Sequence, residues 1–179
     1  MGEWSVPSIP HKGWECVAVI DLADECCDRD DIEYEQCEMC GNEKIRFVHI
    51  MRHPEWSDEL HVGCVCAEKM TDDYVNPRRV EKELRNRAAR RTNFNKVEWH
   101  YNPAKGTYSK KYKGEHITIV PSKYGTFGVF FAGNRIWDID GRKIRDFDTA
   151  EKVAFDVFEE FHTTQDEREY RAIVGRYNL

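Results

Sequence analysis

Four cysteines in two close pairs, Cys37 and Cys40 in CEMCG and Cys64 and Cys66 in VGCVCAEKM, carry the most legible chemistry of this 179-residue chain. Thiolate sulfur is the preferred ligand of structural zinc, and two short-spaced pairs joined by a folded loop can form a closed four-sulfur shell. A closed shell leaves no position for substrate. The spacing therefore predicts one structural Zn2+ ion held by Cys37, Cys40, Cys64 and Cys66. Mixed ligation, with His49, His53 or His61 replacing one cysteine, is the alternative to this four-sulfur set. Cys16 falls in the apolar run CVAVI, and the doublet Cys26 and Cys27 sits among acidic residues; adjacent side chains diverge, which argues against their sharing an ion. The odd total of seven cysteines and the absence of an export-like start favour reduced thiols in a cytoplasmic chain.

The elements that must position these sulfurs follow from local patterning. Gly41 suits a tight knuckle after the first pair, because glycine enters left-handed conformations without strain. Residues 44 to 52 alternate as a strand, with Ile45, Phe47, His49 and Met51 on one face and Lys44, Arg46, Val48, Ile50 and Arg52 on the other. HPEWSDE is a turn, and LHVGC returns as a second strand that delivers Cys64 and Cys66 to a helix beginning at Ala67. This order of knuckle, hairpin and helix, carried by CEMCG and VGCVCAEKM, resembles the treble-clef zinc fingers, with one residue instead of two inside the second pair. The longer stretch from GWECVAVIDL through CEMCGNEKIRFVHIMRHPEW to VGCVCAEKMTDDY is similar to a family of uncharacterised bacterial and phage proteins. That resemblance implies no activity.

Charge divides the chain further. The formal net charge of −6 combines a net −12 over residues 1–76, +6 over 77–96 and zero over 97–179. The basic segment reads as a connecting helix, with Asn76 as cap, Pro77 in the first turn, and Val80, Leu84 and Ala88 as a narrow apolar stripe. Arg78, Arg79, Lys82, Arg85, Arg90 and Arg91 fill the rest of its surface, where they would neutralise phosphates through counterion release.

Beyond residue 97, short apolar or alternating segments separated by Lys113-Gly114, Tyr124-Gly125, Gly133-Asn134 and Asp140-Gly141 predict an antiparallel sheet. Asp148 and Glu151 form a capping box ahead of Ala150, Val153, Ala154, Val157, Phe158 and Phe161, which recur at helical spacing. A last short helix is expected from Gln165, capped by Thr164. The segment 124–161, with Gly125 to Val129 as a strand and Phe147 to Glu151 as a helix start, resembles the three-stranded sheet plus helix of ethylene-response-factor and integrase amino-terminal DNA-binding modules. That resemblance implies groove contacts from Lys123, Tyr124, Arg135, Trp137, Arg142 and Lys143.

The expected fold class is thus α+β, a small four-cysteine zinc finger joined by a basic helix to an antiparallel sheet covered by one helix. The expected segments are 1–33, 34–76, 77–96 and 97–179. The expected function is a non-enzymatic, zinc-binding protein that binds DNA, RNA or a nucleic-acid-processing complex, with no membrane partner, since no apolar run spans a bilayer. A competing class is a phage-type interaction or inhibitor module whose carboxylates from Asp21 to Glu35 mimic DNA phosphate charge. A remote third is an HNH-like nuclease with His49 as general base; Val48 precedes His49 and AEKMTDD follows on the helix, so supporting acid and metal-binding groups are missing there.

Overall fold

β-Branched and aromatic residues concentrate in three stretches of the first half, and the chain pairs them as one antiparallel sheet in the order β1 (Glu15–Asp21), β2 (Phe47–His53), β3 (Trp56–Val62). The structure, a computed structural model, describes residues 3–23 and 32–177, with side chains as far as residue 164. The acidic run from Asp24 to Asp31, including Cys26 and Cys27, lies outside the described residues. The chain divides into two compact units, Met1–Arg90 and Arg91–Leu179. Among the described residues no helix is long and apolar enough to cross a membrane.

In the first unit β2 is the central strand, and Phe47, Val48 and His49 are all buried. The strict alternation expected for this strand therefore fails at Val48. A central strand with α1 (Cys64–Thr71) packed on the sheet has little use for a solvated face. Val48 joins Trp14, Met39, Ile45, Met51, Leu60, Val62, Ala67 and Met70 in one core. β1 pairs with β2 from Glu15 opposite Arg52 to Asp21 opposite Phe47, so residues expected to form a separate leading segment belong to the same sheet as the hairpin. Asp21 ends β1 in a two-point ion pair with Arg46, at 2.7 and 2.8 Å. Glu35 accepts or shares a hydrogen bond with His61 at 3.0 Å. Both ends of the acidic stretch are thus engaged within the protein.

α2 spans Asn76–Asn95, close to the expected 77–96. Its capping carboxylate comes from Asp73, which accepts from the Val75 and Asn76 amides at 2.9 Å each. Asn76 is already helical. The division between the two units falls inside this helix.

The second unit contains a five-stranded antiparallel sheet in sequential order, β4 (His100–Asn102), β5 (Thr107–Tyr112), β6 (Glu115–Pro121), β7 (Phe127–Phe131) and β8 (Asn134–Ile136). A separate two-stranded ribbon, β9 (Asp138–Ile139) with β10 (Arg142–Lys143), follows. α3 (Phe147–Tyr177) packs on β7 and β6. The sheet has five strands, where the resemblance drawn for residues 124–161 implies three. Its core unites Ile117, Ile119, Val129 and Phe131 with Ala150, Ala154, Phe155 and Phe158 of α3 and Phe94 of α2. Phe94 meets Tyr112 and Phe155 edge-on, with ring centroids 5.1 and 5.5 Å apart. Phe131 is core, whereas Trp137 is half-buried, lies against Phe130 and covers Gly128, where a Cβ would come within 2.8 Å of its ring.

Two helix-boundary expectations change. The cap of α3 is Asp146, whose carboxylate accepts from the Thr149 amide at 2.7 Å and the Thr149 hydroxyl at 2.9 Å; Asp148 is already in the first turn. α3 also continues through Thr164 as one helix. The amide and hydroxyl of Thr149 hold the Asp146 carboxyl below its ordinary pKa. A carboxyl depressed in the folded state adds stability that is full above its unfolded pKa and is lost as pH falls through the folded one. Asp146→Asn, which keeps an acceptor but not the charge, is predicted to flatten the acid limb of the second unit's stability below about pH 4. Urea titrations at stepped pH check this; parallel curves for both proteins would refute it.

Candidate metal centre

The knuckle forms because residues 37–42 close on themselves. The Gly41 amide donates to the Cys37 carbonyl at 2.7 Å, the Cys37 amide donates to the Asn42 carbonyl at 2.7 Å, and Gly41 takes a φ of 75°. From above, the 3-10 turn Glu3–Ser5 adds Trp4, whose amide donates to the Met39 carbonyl at 3.1 Å. From below, β3 leads through Gly63 into α1. A Cβ on Gly63 would lie 2.9 Å from Ile45 Cγ2, so only glycine lets the helix start this close to the strand that follows the knuckle. The Gly63 amide donates to Cys37 Sγ at 3.4 Å.

These elements bring Cys37, Cys40 and Cys66 together, with all three sulfurs within 4.8 Å of one another. A tetrahedral shell of thiolates sets its sulfurs about 3.8 Å apart, so the three can hold a metal ion with little adjustment. Cys37 and Cys66 are buried and Cys40 is exposed. Hydrogen bonds to Cys37 from the Cys66 thiol, the Gly63 amide and Cys40 outweigh its burial and hold its pKa well below the ordinary thiol value. Cys66, which donates to Cys37 and is itself buried, is pushed up. Three sulfurs gathered this closely are the arrangement a soft cation would bind.

Cys64 does not join them. It lies instead with His49 and Glu81, whose donor atoms and its own sulfur are all within 4.8 Å of one another. The reason is the helix start. α1 begins at Cys64, three residues earlier than expected, and at about 100° per residue two positions separated by one residue point roughly 200° apart. Cys66 faces the knuckle and Cys64 faces β2 and α2. His49 Nε2 is 3.3 Å from Glu81 Oε1, and its Nδ1 is 3.8 Å from Cys16 Sγ. Burial disfavours the imidazolium, but the hydrogen bonds with Cys16 and Glu81 outweigh it and hold the His49 pKa up at about 9. Burial, together with the carboxylates of Glu81 and Glu68, raises the Cys64 thiol to about 11. His53 and His61 belong to neither group: His53 Nδ1 accepts from the Glu55 amide, and His61 pairs with Glu35.

Comparison with models of protein families, with curated proteins and with solved structures finds no match to this chain. Residues and geometry therefore carry the whole functional argument.

The basic helix divides by environment. Arg78 forms a two-point pair with the buried Glu68, and Arg79 donates to Asn76 Oδ1 at 3.0 Å. Lys82 is exposed. Arg85 lies 3.6 Å from Glu81 and sits over the Phe47 ring at 5.2 Å while its side chain is 62% exposed. Arg90 is half-buried, and Arg91, only 16% exposed, pairs with Asp156 at 3.1 Å and covers Phe155. An open cleft of about 300 Å³ is lined by Lys44, Ile45, Arg46, Phe47, Gly63, Cys64, Glu81 and Arg85. In the sequence Glu81 stands four residues before Arg85, the spacing of an ordinary helix-surface ion pair. The signal available for its second role is the one-residue gap between Cys64 and Cys66, which forces a helical Cys64 to look away from the first pair.

Proposed function

We propose that this protein is a non-enzymatic zinc-binding protein whose first unit is built like a treble-clef finger and which docks on the sugar-phosphate backbone of nucleic acid. The observation that carries this reading is the meeting of Lys44 and Arg85 at one open cleft, with Arg46 in its wall held by Asp21, continued along α2 by the exposed Arg79 and Lys82. Cations gathered on a rigid strand and helix are positioned for phosphate contacts. Arg91 is bound to Asp156 and serves the fold, and Arg78 is occupied by Glu68. In this reading zinc bound by Cys37, Cys40 and Cys66 staples the knuckle to α1 and performs no chemistry. Reduced thiols at such a centre suit a cytoplasmic setting.

The reading predicts salt-sensitive binding to DNA or RNA oligonucleotides. Fluorescence anisotropy over a salt series is expected to give a linear fall of log K with log salt, and the double variant Arg79→Glu, Lys82→Glu to reduce the slope by about 2 on duplex DNA. Unchanged affinity and slope in that variant would sink the proposal.

A further inference from the structure

The group of His49, Cys64 and Glu81 is not needed by a structural ion at the knuckle, and its geometry is that of a ligand set. Its three donors come from three separate elements, β2, the first residue of α1, and α2, so no local turn or hydrogen-bonded loop explains their meeting. The separation of His49 Nε2 and Glu81 Oε1, 3.3 Å, is longer than the roughly 2.7–2.9 Å of a charge-assisted hydrogen bond. It matches the distance of about 3.3 Å between nitrogen and oxygen ligands on one tetrahedral zinc-sized ion. His49 is fully buried, with Nδ1 directed at Cys16 Sγ, which orients the ring and leaves Nε2 for the site. The Glu81 carboxylate is steadied by Arg85 through Oε2, leaving Oε1 toward His49. Cys64 stands at the first residue of α1, with its sulfur turned toward His49 and Glu81.

Cys64 and Glu81 also line the cleft, so one side of the group faces open space. We propose that His49, Cys64 and Glu81 bind a second metal ion of the zinc class, with a fourth position open to the cleft for an anionic oxygen ligand. Nitrogen, sulfur and one carboxylate oxygen form a donor set suited to zinc or cobalt rather than magnesium or calcium. One nitrogen, one sulfur and one carboxylate oxygen distinguish it from the all-sulfur group at the knuckle, whose donors are those of structural zinc. Lys44 and Arg85 at the opening favour an anion in that position. The inference goes beyond the nucleic-acid reading and does not depend on it.

Metal-free full-length protein titrated with Co2+ provides the test. The expected result is two equivalents per chain, both with sulfur-to-cobalt charge-transfer absorption, and one equivalent in Cys64→Ser and in Glu81→Gln. Loss of the second equivalent should exceed the roughly 10- to 100-fold weakening that follows removal of an outer partner. Inorganic phosphate is expected to change the visible bands of the second equivalent and not of the first. Glu81→Gln alters a helix side chain without changing its size, and an unchanged far-UV circular dichroism spectrum shows that it folds. One equivalent in the unsubstituted protein, or two retained in both variants, would overturn the second site. Phosphate-insensitive bands would overturn its open position. A failed oligonucleotide titration would leave the cobalt stoichiometry untouched, so the two readings stand or fall separately.

Discussion

Chelation of the zinc proposed at Cys37, Cys40 and Cys66 is expected to unfold the first unit and leave the second folded. The knuckle of residues 37–42 has little apolar surface of its own, and Cys37 and Cys66 tie it to α1 across a core in which Met39, Val62, Ala67 and Met70 are fully buried. Structural zinc contributes an apparent binding free energy of about 10 kcal/mol or more, comparable to the whole stability of an ordinary domain. Cys37→Ser should reproduce the effect of chelator. The second unit has its own core around Phe94, Ile117, Ile119, Val129 and Phe158 and no cysteine. Hydrogen exchange resolves the two: amides of Met51, Val62 and Met70 should lose protection, and those of Ile117, Ile119 and Val129 should keep it. Retained protection at Val62 and Met70 after the metal is removed would contradict a structural role.

Removing the carboxylate of Glu151 is predicted to cost about 3–5 kcal/mol, among the largest single-residue effects in the second unit. Lys110 is only 2% exposed on β5, between Tyr108 and Tyr112 on the inward face. Its ammonium donates to Glu151 Oε1 at 2.9 Å and to the Phe94 carbonyl at 3.0 Å, and lies 4.1 and 4.6 Å from the ring centroids of Phe94 and Trp99. The Trp99 indole N–H donates to the same Glu151 oxygen at 2.7 Å. Glu151→Ala would leave a buried ammonium without its counter-charge, whereas Lys110→Met with Glu151→Leu would remove both charges and recover much of the loss. Burial holds the Lys110 pKa below its ordinary value despite the Glu151 hydrogen bond. The folded state therefore binds fewer protons than the unfolded one as pH rises between the two pKa values, and stability contributed by this residue increases over that alkaline window. In Glu151→Ala the window should widen downward. Thermal unfolding of the three proteins from neutral to alkaline pH measures both effects, and a Glu151→Ala protein within about 1 kcal/mol of the parent would refute the account.

Much of the framework was legible because period and punctuation agree. Ala150, Val153, Ala154, Phe158 and Phe161 recur at helical spacing and lie in or against the core, and the β2–β3 hairpin turns within the expected HPEWSDE segment, although β3 already starts at Trp56 rather than at Leu60. Lys110 was not legible as a core residue, because a charged residue is buried only if distant partners await it, and Glu151 is 41 residues away. The cysteine pairs were legible as ligands and their sorting was not. Whether Cys64 and Cys66 turn toward one ion depends on which residue begins the helix, and helix starts are set by close packing such as that of Gly63 on Ile45. A start at Ala67 would leave both cysteines in flexible backbone free to converge. A start at Cys64 separates them.

The short interval between Cys64 and Cys66 thus acts as an address. Rotation per residue is fixed by the helix, so the length of the interval, more than the identity of Val65 within it, decides to which neighbour each sulfur is delivered. With one more residue the two would stand about 60° apart on a shared side, as ligands of a single ion usually do. A deletion in sequence can in this way act as a gain in wiring: shortening the interval by one residue withdraws a sulfur from the knuckle and supplies it to a histidine and a glutamate on two other elements.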